Sequence, residues 1–267
     1  LGVWGSAALA AGLTVCALAF ASSSVTPPPA KLSGVRVDYV SGPKLPASDV
    51  LALLRGYPYR DRLVQPSRAD LIELTGFLGA QPMVKEVHAI RTIDEPVEGK
   101  APRRMLELSL SLREPRLPVV LATGSRAWLD EDGRILPGVL PGPTQPRPIV
   151  RGIEAGGTAA VREALWLWSR LEGRIEPGLI TDIRLDDPLD LKNQRGLVLC
   201  TRQGSRVIWG RPGDERFGVE AEDKVSDLVH TIRCQGDLGQ IAVINVRFKD
   251  PFFVLRPSGA ATPSVVQ

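Results

Sequence analysis

A chain of 267 residues is long enough for one large domain or two small ones, and 43% hydrophobic with 24% charged residues marks most of it as globular. A formal net charge of +3 is too balanced for a nucleic-acid binder, and no basic run is interleaved with aromatics. His88, His230, Cys16, Cys200 and Cys234 are too scattered along the chain for the clustered ligands of a metal site.

The first element in chain order is an apolar run, Gly2 to Ala21, that carries no charge. A membrane-crossing helix needs about 20 such residues, so a single transmembrane anchor is expected over residues 1–21. The first Lys or Arg is Lys31, and an uncharged flank is what the positive-inside rule expects of the outer side. Ala19-Phe20-Ala21 also has the form of a signal-peptidase site, but the length of the run favours a retained anchor. Either way, the rest is expected outside the cytoplasm, on the periplasmic side of the cell inner membrane. There a Cys200–Cys234 bridge and two buried free thiols are equally expected.

Residues 22–31, with Pro27-Pro28-Pro29, read as a stiff linker. From residue 32 the pattern predicts a β-α-α-β-β unit. Val35, Val37 and Tyr39 alternate in a strand. Ser48 is expected to cap a short helix, and Ser67 with Asp70 forms a capping box for a second helix with Leu71, Leu74 and Leu78. Val84 to Ile93 is strand-like. Leu106, Leu108, Leu110 and Leu112 then alternate with polar residues, the signature of a strand with one face on a core.

In the second half, Asp132-Gly133 between Trp128-Leu129 and Ile135-Leu136 predicts a hairpin. Thr158 is expected to cap a helix with the face Val161, Ala164, Leu165, Trp168 and Leu171. Strands are predicted at Ile180 to Leu185, Gly196 to Thr201 and Arg206 to Gly210, and Asp186-Asp187 reads as a solvated turn. A helix over Glu222 to Arg233 precedes two final strands, Ile241 to Phe248 and Phe252 to Arg256.

Several of these segments together resemble the FtsQ/DivIB family of bacterial cell-division proteins. Leu106 to Pro115 (LELSLSLREP), followed by Leu117-Pro118-Val119-Val120, is similar to the last strand of its POTRA domain. Pro82 to Val87, Trp128 to Gly133, Pro148 to Gly152, Gly204 to Gly210, Lys224 with Leu228, and Ile244 to Phe248 follow the family's order. Asn245 and Phe248 stand where the family usually has Asp and Tyr. The resemblance implies an α+β protein: an anchor over residues 1–21, a POTRA domain over 32–115, a mixed β-sheet domain with flanking helices over 116–257, and a tail over 258–267.

The resemblance also implies a non-catalytic scaffold of the division machinery. Its partners would be FtsB/FtsL-like bitopic proteins, its contact with the membrane the N-terminal helix. Nucleic acid, small-molecule substrate, cofactor and metal are not expected. Phe248, Phe252, Phe253 and Val254 are the candidate partner-binding residues, since an exposed final strand can accept a partner strand. The competing reading is that these phenylalanines fill a core. Phe252 and Val254 alternate with Phe253, so at least one Phe is expected to be available.

Enzyme motifs are absent: there is no Gly-x-Ser-x-Gly, His-Glu-x-x-His or P-loop. His88 and His230 are expected to be structural, and Asp130-x-Asp132-Gly133 a hairpin turn rather than a calcium loop. The alternative function is a POTRA-containing chaperone or transport accessory at the cell envelope. Such modules precede a β-barrel, for which too few residues remain.

Overall fold

The computed structural model describes residues 31–98, 102–189, 194–214 and 219–257. These residues form an α+β fold with four α-helices and two sheets. The first unit runs β1 (Leu32–Ser41), α1 (Ala47–Arg55), a 3-10 turn (Arg60–Val64), α2 (Arg68–Gly79), β2 (Val84–Glu95) and β3 (Arg103–Leu112). Its sheet order is β1-β3-β2, with β1 parallel and β2 antiparallel to β3.

The central position of β3 explains its alternation. Leu106, Leu108, Leu110 and Leu112 meet Val50 and Leu54 of α1 and Leu74 and Leu78 of α2 in one core. The opposite face carries the cross-strand ion pair of Arg91 with Glu107, and Asp94 pairs with Arg104 at the end of the leucine face. The Ser67 hydroxyl accepts from Asp70 N at 3.2 Å, and the Asp70 carboxylate accepts from Ser67 N at 2.8 Å, closing the capping box of α2. Helix α1 begins earlier than Ser48. The Pro46 carbonyl already accepts from Asp49 N and Val50 N, so Ser48 lies inside the first turn and its hydroxyl bonds Asp49 instead.

The second unit runs β4 (Leu117–Val120), β5 (Arg126–Leu129), β6 (Ile135–Pro137), β7 (Ile149–Arg151), α3 (Ile153–Leu171), β8 (Ile180–Pro188), β9 (Arg195–Thr201), β10 (Arg206–Gly210), α4 (Ala221–Gln235), β11 (Ile241–Asn245) and β12 (Phe252–Leu255). They make a mixed nine-stranded sheet ordered β12-β11-β10-β9-β8-β7-β4-β5-β6. Val161, Ala164, Leu167, Trp168 and Leu171 of α3, with Val225, Leu228, Val229 and Ile232 of α4, bury one face of it. Gly157 (φ 68, ψ 178) interrupts α3, so the continuous helix starts at Thr158.

The two units share an interior. Trp128, Leu136 and Leu140, from the β5–β6 end of the large sheet, pack into the core of the small one. Arg113, the residue after β3, donates to the buried Asp130 carboxylate at 2.9 Å. Asp130 also accepts from Asp132 N and Arg134 N, which closes the β5–β6 turn.

Three further expectations are corrected. The expected fold class included a transmembrane helix, but among the described residues no helix is long and apolar enough to cross a membrane. Residues 1–21, where that anchor was expected, lie outside the described residues. Asp186 and Asp187 are not a solvated turn. They belong to β8, where Asp186 pairs with Arg195 of β9 at 2.8 Å and Asp187 with Arg206 of β10 at 3.0 Å, so other strands of the sheet neutralise them. Strand β11 ends at Asn245 rather than Phe248, because the Asn245 side chain accepts from Arg247 N at 3.0 Å and turns the chain.

Candidate partner-binding edge

At one end of the nine-stranded sheet, β12 pairs antiparallel with β11 and has no strand on its other side among the described residues. Its register sets Phe252 opposite Asn245, Phe253 opposite Ile244 and Val254 opposite Val243. Ile244 belongs to the core beneath the helices, so Phe253 lies on the helix-bearing face. Val243 packs with Leu189, Val198 and Ile208 on the other face, which Phe252 and Val254 extend. Among the described residues, both faces of β12 are only partly covered. Phe252 is 47% exposed, Phe253 46%, Val254 48% and Leu255 65%. Phe248, in the connection before β12, is 47% exposed. The fold thus brings all four candidate residues to one edge and leaves both phenylalanines of the strand about half exposed.

The edge is held at both ends by arginines that pattern reading missed. Before the strand, buried Arg247 donates to buried Asp214 at 3.0 Å and to Gln194 at 3.2 Å. Its guanidinium lies 5.6 Å from the Phe248 ring centroid, within cation–π range. Asp214 also accepts from Arg211 N at 2.9 Å. Gly210 makes room for this cluster. Its φ is +118, and a Cβ there would sit 2.6 Å from Asp214 Oδ2. After the strand, Arg256 N donates to the Gln240 carbonyl at 2.9 Å, and its side chain to the Gln203 carbonyl at 2.7 Å. The partners of the Arg247 and Arg256 side chains lie 33 to 53 residues away, which no local pattern reports.

The remaining singled-out residues are placed elsewhere. Cys200 and Cys234 are both free. Burial raises the Cys200 thiol pKa above its ordinary value, while Cys234 is exposed on α4 beside His230, Sγ to Nε2 3.4 Å. His88 Nε2 lies 2.7 Å from Ser111 Oγ across β2 and β3, a contact sequence reading missed because 23 residues separate the two. His88 Nδ1 is 3.8 Å from Glu86. Ser111 is buried, so its hydroxyl has no open side to offer a substrate. Trp168 faces the core, and Trp166 stacks 6.3 Å from Trp209 of β10. Among the described residues, no three His, Cys, Asp or Glu side chains cluster in a way that could hold a metal ion.

Comparison with known proteins adds no assignment: no protein-family model matches the chain, and no curated protein matches it.

Proposed function

We propose that this chain is a non-catalytic scaffold that captures a partner by strand addition at β12, in the manner of the FtsQ/DivIB division proteins it resembles. The reading puts it on the extracytoplasmic side at the division septum, binding FtsB/FtsL-like bitopic proteins. The observation that carries it is the edge itself: four consecutive apolar residues, Phe252 to Leu255, exposed on both faces of an end strand. A strand laid alongside would pair with free backbone groups and cover these side chains together. The anchoring of Arg247 and Arg256 supports the same reading, because a strand already held in place loses little freedom on binding.

Titration of the full chain with the extracytoplasmic segment of an FtsB-like partner tests this by calorimetry. Val254→Pro removes a backbone donor at the edge and is expected to weaken binding while leaving the thermal melt in place. Equal affinity of an intact Val254→Pro variant would move the interface elsewhere. The non-catalytic part has its own test. Turnover of peptidoglycan fragments that disappears with His88→Ala or His230→Ala would overturn it.

A further inference from the structure

We propose that the small sheet carries a second, separate docking groove, between β1 and α1, that takes an extended peptide with alternating apolar residues and an acidic end. Two adjoining lobes, of about 280 and 510 Å³, share Gly34, Val35 and Leu51. Val35, Val37 and Tyr39 of β1 line the groove on one side, and Leu51 of α1 lines the other. These β1 residues remain half-buried although they face the helices, and Leu51 is exposed.

Three features commit the occupant. Among the described residues β1 is an end strand, so one row of its backbone N–H and C=O groups is open to pairing. Its groove-lining residues recur every second position, the spacing at which a paired strand would set its own side chains alongside. Arg55 and Arg60 stand at one end of the groove, and neither makes an ion pair with a described residue. Arg62, by contrast, is shared by Asp70 and Glu73. Two unneutralised guanidinium groups beside an apolar trough favour carboxylates on the incoming chain. An acyl chain with a carboxylate head would also suit the trough and the arginines, but it would leave the β1 backbone unpaired. The other end strand, β2, is a poorer acceptor. It carries Lys85, Glu86, Arg91, Asp94 and Glu95, whereas β1 carries only Arg36 and Asp38.

The probe is a fluorescent peptide of about ten residues, a common strand length, alternating valine and threonine and ending in aspartates. Anisotropy with the full chain is expected to show saturable binding, with amide exchange slowed in β1. Leu51→Lys, at an exposed helical position, is expected to abolish it with an unchanged melt. The Arg55→Glu, Arg60→Glu double variant is expected to weaken it by about tenfold or more, as is a peptide ending in lysines. Equal binding of the acidic and basic peptides would overturn the proposal. So would undiminished binding by folded Leu51→Lys, or occupancy by palmitate with none by the peptide.

Discussion

Strands β3 and β12 both carry runs of large apolar side chains, yet those of β3 are buried and those of β12 are about half exposed or more. Leu110 of β3 is 2% exposed, while Leu255 of β12 is 65% exposed. For these side chains the difference is position in the sheet. β3 has a strand on either side and two helices over one face; among the described residues β12 has one neighbouring strand and only partial cover. Fully burying a large apolar side chain gains about 1.5–3 kcal/mol, and β12 forgoes much of that at four successive positions. An apolar strand that the fold does not need to bury is free to be covered by something else.

The sharpest way to break this contrast is Leu110→Asp. An unpaired carboxylate on the buried face of β3 is expected to cost about 5 kcal/mol and to unfold the small unit in a denaturant titration. An unshifted midpoint would mean that β3 is no more committed to burial than β12. Next comes Arg113→Ala, which strands the buried Asp130 carboxylate at the junction of the sheets. Breaking a buried pair typically costs 3–5 kcal/mol, and about 3 kcal/mol is expected here because Asp130 keeps its two backbone donors. Loss of cooperativity between the units, read by tryptophan fluorescence, should accompany it.

Phe253→Ala is the counterpart on β12. Stability should move by no more than about 0.5 kcal/mol, as for exposed positions. Partner affinity should fall by roughly 1–4 kcal/mol if this side chain is a hot spot. A large stability loss with unchanged affinity would return Phe253 to the role of core residue.

The smallest effect concerns acid. Hydrogen bonds from Ser67 hold the Asp70 carboxyl below its ordinary 3.8, and the Arg104 guanidinium does the same for Asp94. A depressed folded-state pKa means the ionised form is the one that stabilises. The contribution is therefore complete above the ordinary carboxylate range and is lost as pH falls through the depressed values. A modest drop in the melting temperature of the small unit is expected below about pH 4, and Asp70→Asn should flatten part of it. Asp94 is exposed, so screening by salt should shrink its share of the effect further.

The contrast also separates what was legible in the sequence from what was not. β3 announced itself because its two faces differ, so its residues alternate. The Ser67–Asp70 box and the Asp132-Gly133 turn were legible for the same local reason. β12 offers no alternation, since Phe252, Phe253, Val254 and Leu255 are all apolar. Its pattern suits a core and a docking edge equally, and only the missing neighbour decides between them. Asp186 and Asp187 misled because the arginines that neutralise them come from other strands. The anchors of the edge, Arg247 with Asp214 and Arg256 with Gln203, close over long sequence separations. The groove beside β1 was likewise invisible, because its two walls belong to different elements.

The order of the large sheet turns the molecule into a ruler. The β5–β6 end is packed into the small unit, and β12 lies at the opposite end, eight strand spacings away. At about 4.8 Å per spacing, whatever binds β12 sits roughly 38 Å from that junction, less what the sheet's twist takes up. A hydrogen-bonded sheet resists stretching along this direction far better than a hinged linker would. Two binding partners, one on each unit, would thus be held at a set separation, and inserting or deleting a strand would change their spacing in steps.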